Sequence, residues 1–252
     1  KRVMSQYTSG EMTNTYHAYT YATNSYSSAL NADMPITHTF VSSEGDTLVE
    51  HFTYLPSTNK VQKCVTTKQG IVVDGYKLDY DDTYRVIKKY APLLSPTSLP
   101  SIQNITWDLL ETYNDDPAIN KIVEVINHKT NLTTTYLWSY GGQYPIAEIT
   151  NATLATIKNK LGETQITQLQ QSYNPDLSIV NNLRLQLPST NINTMTYEPL
   201  VGITSHTDSK GYTLYYEYDD FGQVKEIYEW VNGNKNILKY FVKNRSRNTT
   251  IN

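Results

Sequence analysis

Residues 212–218 read Tyr212-Thr213-Leu214-Tyr215-Tyr216-Glu217-Tyr218. Tyr212, Leu214, Tyr216 and Tyr218 fall on one side of an extended chain, and Thr213, Tyr215 and Glu217 on the other. That is the two-residue period of a strand. Turn signals bracket the run, Asp208-Ser209-Lys210-Gly211 before it and Asp219-Asp220-Phe221-Gly222 after it. A second strand is expected from Val224 to Val231. Asn232-Gly233-Asn234 then reads as a hairpin turn ahead of a third strand, Ile237 to Val242. The three make a β-meander.

Earlier segments repeat the pattern. Tyr136-Leu137-Trp138-Ser139-Tyr140-Gly141-Gly142 parallels Tyr216-Glu217-Tyr218 and its turn, which matches Tyr80, Tyr140 and Tyr218 as aromatic positions ahead of turns. Leu78-Asp79-Tyr80-Asp81-Asp82 leads into Arg85-Val86-Ile87, and Trp107 to Asp116 leads through Pro117 into Ile119 to Val125. The turn Glu44-Gly45, with Phe52 and Tyr54 behind it, is a further candidate. Units recur every roughly 22 to 33 residues, the mark of a ragged repeat array. A hairpin cannot bury its aromatic face alone, so neighbouring hairpins must cover one another. On this reading Tyr218 and Tyr140 belong to a buried stripe.

Two segments break the pattern. Residues 91–104 are proline-rich and read as an extended connector. In 150–188 the spacing of Leu154, Ile157 and Leu161 predicts a helix that Gly162 ends, with a short turn of helix over Ile166 to Leu169. Asn174-Pro175 reads as a cap and first turn for another helix carrying Ile179, Val180, Leu183 and Leu187. The expected fold class is mainly β, antiparallel hairpin and meander repeats with a small helical insert. The expected divisions are a hairpin-repeat region at 1–149, the insert at 150–189, a C-terminal meander at 190–242 and a tail at 243–252.

Composition agrees with that class. Of 252 residues, 22 are tyrosine, which lifts aromatics to 12% and sets the chain apart from disordered sequences. The net charge of -3 leaves no basic stripe, so nucleic acid is not an expected partner. No apolar run reaches the ~18 residues of a membrane span. The single cysteine, Cys64, allows no intrachain disulfide. A start at Lys1 with no leader-like segment reads as a fragment or processed product.

Tyr218-Asp219-Asp220-Phe221-Gly222-Gln223-Val224 resembles the Tyr-Asp core of the Rhs (YD) repeat family. Residues Tyr136 to Ala147, with Asn151-Ala152-Thr153, resemble a segment common in Rhs-type proteins of Bacteroidetes, as does Thr196-Tyr197-Glu198-Pro199-Leu200-Val201-Gly202. The resemblance runs from about residue 105 to 242. It implies long β-hairpin sheets, which in large toxins of the family wrap into a shell around a C-terminal effector, and a chain exported or displayed at the cell surface. It carries over no catalytic residue.

Residues that could carry chemistry form few recognisable patterns. His17, His38, His51, His128 and His206 are scattered singly, without zinc-ligand spacing. Cys64 sits on an expected strand, where a small buried residue is the ordinary role. The pairs Asp81-Asp82, Asp115-Asp116 and Asp219-Asp220 attract a calcium reading, but each follows a tyrosine at a strand end, where the turn itself needs an aspartate. Trp138 reads as core. Trp107 and Trp230 are less constrained and are the candidate ligand-binding residues, a stacking platform for sugars. The functional expectation is a structural or interaction module without enzymatic activity or cofactor, from a secreted or cell-surface Rhs-like protein. Its partners are the remainder of the parent protein or another surface protein. A carbohydrate- or protein-binding module is the alternative.

Overall fold

Strand formers alternate with turn residues along almost the whole chain, and the computed structural model turns that alternation into sixteen strands among the described residues. It describes residues 5–9, 14–21, 34–42, 45–94 and 100–241, with side chains from His17 onward. The chain forms two compact units. Lys1–Tyr113 and Asn127–Thr130 make the first, and Asn114–Ile126 and Asn131–Asn252 the second.

The first unit contains β1 (Ser5–Ser9), β2 (Asn14–Tyr21), β3 (Pro35–Val41), β4 (Thr47–Tyr54), β5 (Val61–Lys68), β6 (Ile71–Tyr80), β7 (Val86–Pro92) and most of β8 (Trp107–Asp116). The second contains β9 (Lys121–Asn127) up to Ile126, β10 (Leu132–Ser139) and β11 (Tyr144–Thr150). Four short helices follow, α1 (Leu154–Leu161), α2 (Glu163–Gln171), α3 (Ser178–Asn181) and α4 (Leu183–Gln186). Then come β12 (Asn191–Glu198), β13 (Gly202–Thr207), β14 (Thr213–Tyr218), β15 (Val224–Val231) and β16 (Asn234–Tyr240). Within each unit strands pair with their neighbours in chain order and antiparallel, so the fold is the expected mainly-β meander.

One irregularity recurs. Nine of the strand pairings carry a register shift in which the returning strand inserts one extra residue, among them Gln62, Ile87, Ile146, Thr204 and Lys225. Such a bulge twists the pair locally and leaves two residues facing one. In eight of the nine the facing residue is aromatic, and in the ninth it is Thr67. The eight are Tyr21, Tyr54, Tyr80, Tyr90, Trp138, Tyr197, Tyr218 and Tyr228.

Five of these rings also reach back to the preceding strand. Tyr54 donates its hydroxyl proton to the Pro35 carbonyl at 2.7 Å and Tyr80 to that of Val61 at 2.6 Å. In the second unit Trp138 Nε1 donates to Ile122 at 2.9 Å, Tyr197 to Pro145 at 2.9 Å and Tyr218 to Ile203 at 2.8 Å. Each acceptor is the first or second residue of its strand, where a backbone carbonyl lies beside the end of the ladder. The ring therefore ties two hairpins together with a side chain as well as the backbone.

Two expectations change here. The residue matching Tyr80 and Tyr218 is Trp138, not Tyr140. Tyr140 lies beyond the end of β10 with φ 55, is 3% exposed, and its hydroxyl accepts from the Tyr197 amide. The stripe through Tyr218 is only half-buried, because every residue of β14 is partly exposed, and Tyr212 lies outside the strand and is exposed.

The main core of the second unit is where the helices dock. Residues 151–190 take the place of a hairpin turn between β11 and β12, whose strands still pair, Thr150 opposite Asn191 and Ile149 opposite Ile192. Ile149, Ile192 and Leu137 pack with Ile157, Leu161, Leu169, Val180 and Leu183. A fully buried side chain of this kind contributes about 1.5–3 kcal/mol. Gly162 ends α1 at φ 83 as its position predicts, and α2 extends well past Ile166–Leu169. The helix expected from Asn174-Pro175 is instead two single turns. Asp176 accepts from the Ser178 amide, so the chain turns there and starts α3 later.

Candidate functional site

Trp107 and Trp230 belong to different units. Trp107 opens β8 opposite Pro92 and is half-buried. It borders a shallow depression of about 300 Å³ with Thr53, Gln62, Lys63 and Lys77. Trp230 is 54% exposed. Beside it Tyr228 presents its ring edge-on at 6.0 Å, and Tyr215 stacks on Tyr228 at 5.3 Å. Lys235 places its ammonium 4.1 Å from the Tyr228 ring centre and pairs with Glu217 and Glu226, both at 2.7 Å. Hydrogen bonds to those two carboxylates, Glu217 first, push the Lys235 pKa upward and keep it charged. The result is an exposed indole at the edge of a rigid aromatic and ionic row.

That row runs out onto β16, all seven residues of which are exposed. Ile237 is 50% and Leu238 51% exposed, next to Tyr240 and Phe241. As the last described strand, exposed along its length and carrying Ile237 and Leu238, it is a template for strand pairing.

A cleft of about 210 Å³ lies between the helical insert and β10, bordered by Asp116, Tyr136, Trp138, Lys158, Ile166 and Gln170. Its polar groups are already engaged, and one pair, Asp116 with Gln170, ties the insert to the sheet. Asp116 accepts from Gln170 and from the Ala118 amide, Lys158 pairs with Glu163, and Trp138 donates to Ile122. At the adjoining turn Tyr140 and Gly142 offer their amides to the Ser172 and Gln170 carbonyls at the end of α2. At the other end of the insert the buried carboxylate of Glu124 accepts from the Leu154 amide at 2.7 Å and from Asn114 at 2.6 Å. A carboxylate at a helix N-terminus satisfies a free amide and meets the positive end of the dipole. Glu124 carries no sequence signature, because its partner lies thirty residues away.

The aspartates at strand ends supply turn geometry. Asp81 accepts from the Thr83 and Arg85 amides, Asp208 from Lys210 and Tyr212, and Asp219 from Phe221 and Gln223. The amide of Arg85, then the hydroxyl of Thr83, hold the Asp81 carboxyl below its usual range. Cys64 is buried on β5, and burial, then the charges of Glu50 and Asp74, push its thiol up to about 11, the opposite of an activated nucleophile. Among the described residues no group of three or more His, Cys, Asp or Glu side chains is arranged to hold a metal. No helix among them is long and apolar enough to cross a membrane.

The singly scattered histidines are not all isolated in space. His17 and His38 meet across β2 and β3 with ring nitrogens 2.9 Å apart, and His38 meets Glu50 of β4 at 2.7 Å. Only strand register, not sequence spacing, brings these three together.

No protein-family model matches the chain, and no curated protein does. Solved structures do. The crystal structure of TcdB2-TccC3 aligns over 89% of this chain with a TM-score of 0.50 and 10% identity. TcdB2-TccC3-Cdc42 aligns with a TM-score of 0.39 at 12% identity over 89% of the chain. The Photorhabdus luminescens Tc holotoxin pore gives 0.32 at 12% identity over 88%. This chain spans 10% of the first of those chains, 12% of the second and 14% of the third. At such identity the likeness is one of fold. The class it defines is the antiparallel hairpin-repeat sheet, and the shared architecture is that of a segment within TcdB2-TccC3.

Proposed function

We propose that this chain is a non-enzymatic structural and interaction module of a secreted or cell-surface Rhs-like protein. In this reading it works by extending a hairpin-repeat sheet and pairing with the rest of its parent protein or with another surface protein. One observation carries the reading: a clasped repeat whose last described strand, β16, is exposed along its whole length and presents Ile237, Leu238 and Tyr240 among its polar residues. The sequence likeness to Rhs repeats and the fold shared with a segment of TcdB2-TccC3 support it. A photo-crosslinking residue placed at Ile237 in cells making the protein should yield a discrete protein adduct. Absence of any protein adduct there overturns the reading.

A second reading has a specific observation of its own. Trp230 is exposed on a braced aromatic row and can stack on the apolar face of a pyranose. Retention on a glycan array that Trp230→Ala abolishes supports it. Equal retention by the variant sinks it.

A further inference from the structure

His38 Nδ1 lies 2.7 Å from a Glu50 oxygen, and a carboxylate only accepts, so that nitrogen carries the proton. The neutral ring then has its lone pair on Nε2. His17 Nδ1, 2.9 Å away, must therefore be the donor to it, which leaves His17 Nε2 as the acceptor open to a further proton. The rings are within 9° of parallel with centres 5.2 Å apart. With the bonding nitrogens so close, this is nearly the in-plane geometry of an N–H···N bond. Two nitrogens on a tetrahedral metal stand about 3.3 Å apart, each roughly 2.0–2.1 Å from the ion. The spacing here fits a shared proton better than a shared metal.

The surroundings fix the three groups. Tyr19 stacks flat on His38 at 4.6 Å, and Phe40 leans on His17 at 5.2 Å. On β1 the register places Gln6 opposite His17. On β5 and β6 it places Thr66 opposite Glu50 and Asp74 opposite Thr66. Lys68, opposite Leu48, is paired with Asp46 at 2.8 Å. Glu50 is thus the one carboxylate hydrogen-bonded to the histidine pair among the described residues.

We propose that His17, His38 and Glu50 form a proton-operated latch across β2, β3 and β4. The first added proton goes to His17 Nε2, where both hydrogen bonds survive and the new charge faces a carboxylate through His38. A second proton on the two rings must go to His38 Nε2. That nitrogen is the acceptor of the bond, so two N–H donors and two cations are set head to head against a single carboxylate. The latch is closed with no added proton or one, and open with two.

The whole chain serves for the test. At neutral pH, ¹⁵N spectra of the imidazole rings should show both His17 and His38 protonated at Nδ1. A ring that carries its proton at Nε2 with Nδ1 bare overturns the proposal. On acidification to about pH 4.5, where ordinary histidines are charged, the opening of β2 and β3 read by amide exchange should rise about tenfold beyond the intrinsic change, the scale of one lost hydrogen bond. His17→Gln should abolish that rise. His51→Gln, whose ring bonds Thr67 instead, should leave it intact. A rise that persists unchanged in H17Q overturns the latch, and should that variant fail to fold, the tautomers of the unaltered protein decide.

Discussion

Tyr197 and Tyr218 are joined through one residue. Ile203 faces Tyr197 across a register shift, and its carbonyl accepts the Tyr218 hydroxyl at 2.8 Å. The same relation links Tyr54 to Tyr80 through Val61, and Trp138 to Tyr197 through Pro145. Tyr54, Trp138 and Tyr197 are thus each both the filler of their own bulge and the neighbour of the residue that holds the next ring.

Removing the hydroxyl alone separates these two roles. Tyr218→Phe and Tyr80→Phe should each cost about 0.5–1.5 kcal/mol, the worth of one hydrogen bond. Tyr218→Ala, which also empties the bulge, should cost about 2–3 kcal/mol, less than a fully buried ring because β14 is half-exposed. Urea denaturation with unchanged m-values measures both. Equal losses for Phe and Ala would mean that the ring itself contributes nothing.

Alkali should loosen the clasps. Burial raises the hydroxyl pKa of Tyr54, Tyr80 and Tyr218, and burial, then the neighbouring Tyr140 and Tyr144, take Tyr197 up to about 12. An unfolded tyrosine ionises near ~10. Since the folded value is the higher, the stabilisation is complete below about pH 10 and is lost as pH rises through about 12. Melting temperature followed against pH should fall in that window, and less steeply in Tyr197→Phe.

The two carboxylates near α1 should behave differently. Glu124→Ala removes a buried cap on Leu154 and strands Asn114, and should cost about 2–3 kcal/mol with faster exchange across α1. Glu163→Ala breaks an exposed pair with Lys158 and should cost less than about 0.5 kcal/mol. Thermal melts of the two variants give the comparison directly.

Gly142 has two reasons to be glycine. Its φ is 79, and a Cβ there would stand 2.5 Å from Ile119 Cγ2. Gly142→Ala should cost about 1–2 kcal/mol. Adding Ile119→Ala should return only the part due to the clash, since the backbone strain remains. Full recovery in the double variant would show that strain contributes nothing.

Local pattern carried the strands. β15 matches its expected limits, and the turn before β16 is made by Asn232 and Gly233, both with positive φ, as an Asn-Gly hairpin requires. α1 was legible for the same reason, because its period and its terminal glycine are both local. The choice between Trp138 and Tyr140 was not. Both are aromatic and two apart in sequence, and only the position of the register shift, set by the partner strand, separates them. Residues 43, 44, 95–99 and 242–252, including part of one expected turn, part of the connector and the tail, lie outside the described residues. The Glu124 cap and the His17, His38 and Glu50 chain depend on partners twelve to thirty residues away, beyond the reach of any spacing rule.

The backward-reaching ring has an evolutionary consequence. Because each clasp needs only a carbonyl near the start of the strand before it, a duplicated pair of strands brings its own ring and supplies the acceptor for its successor. Copies can then be gained or lost without re-optimising the remainder, provided the bulge is copied with the ring. The length of such a sheet becomes a quantity that selection can adjust in whole hairpins.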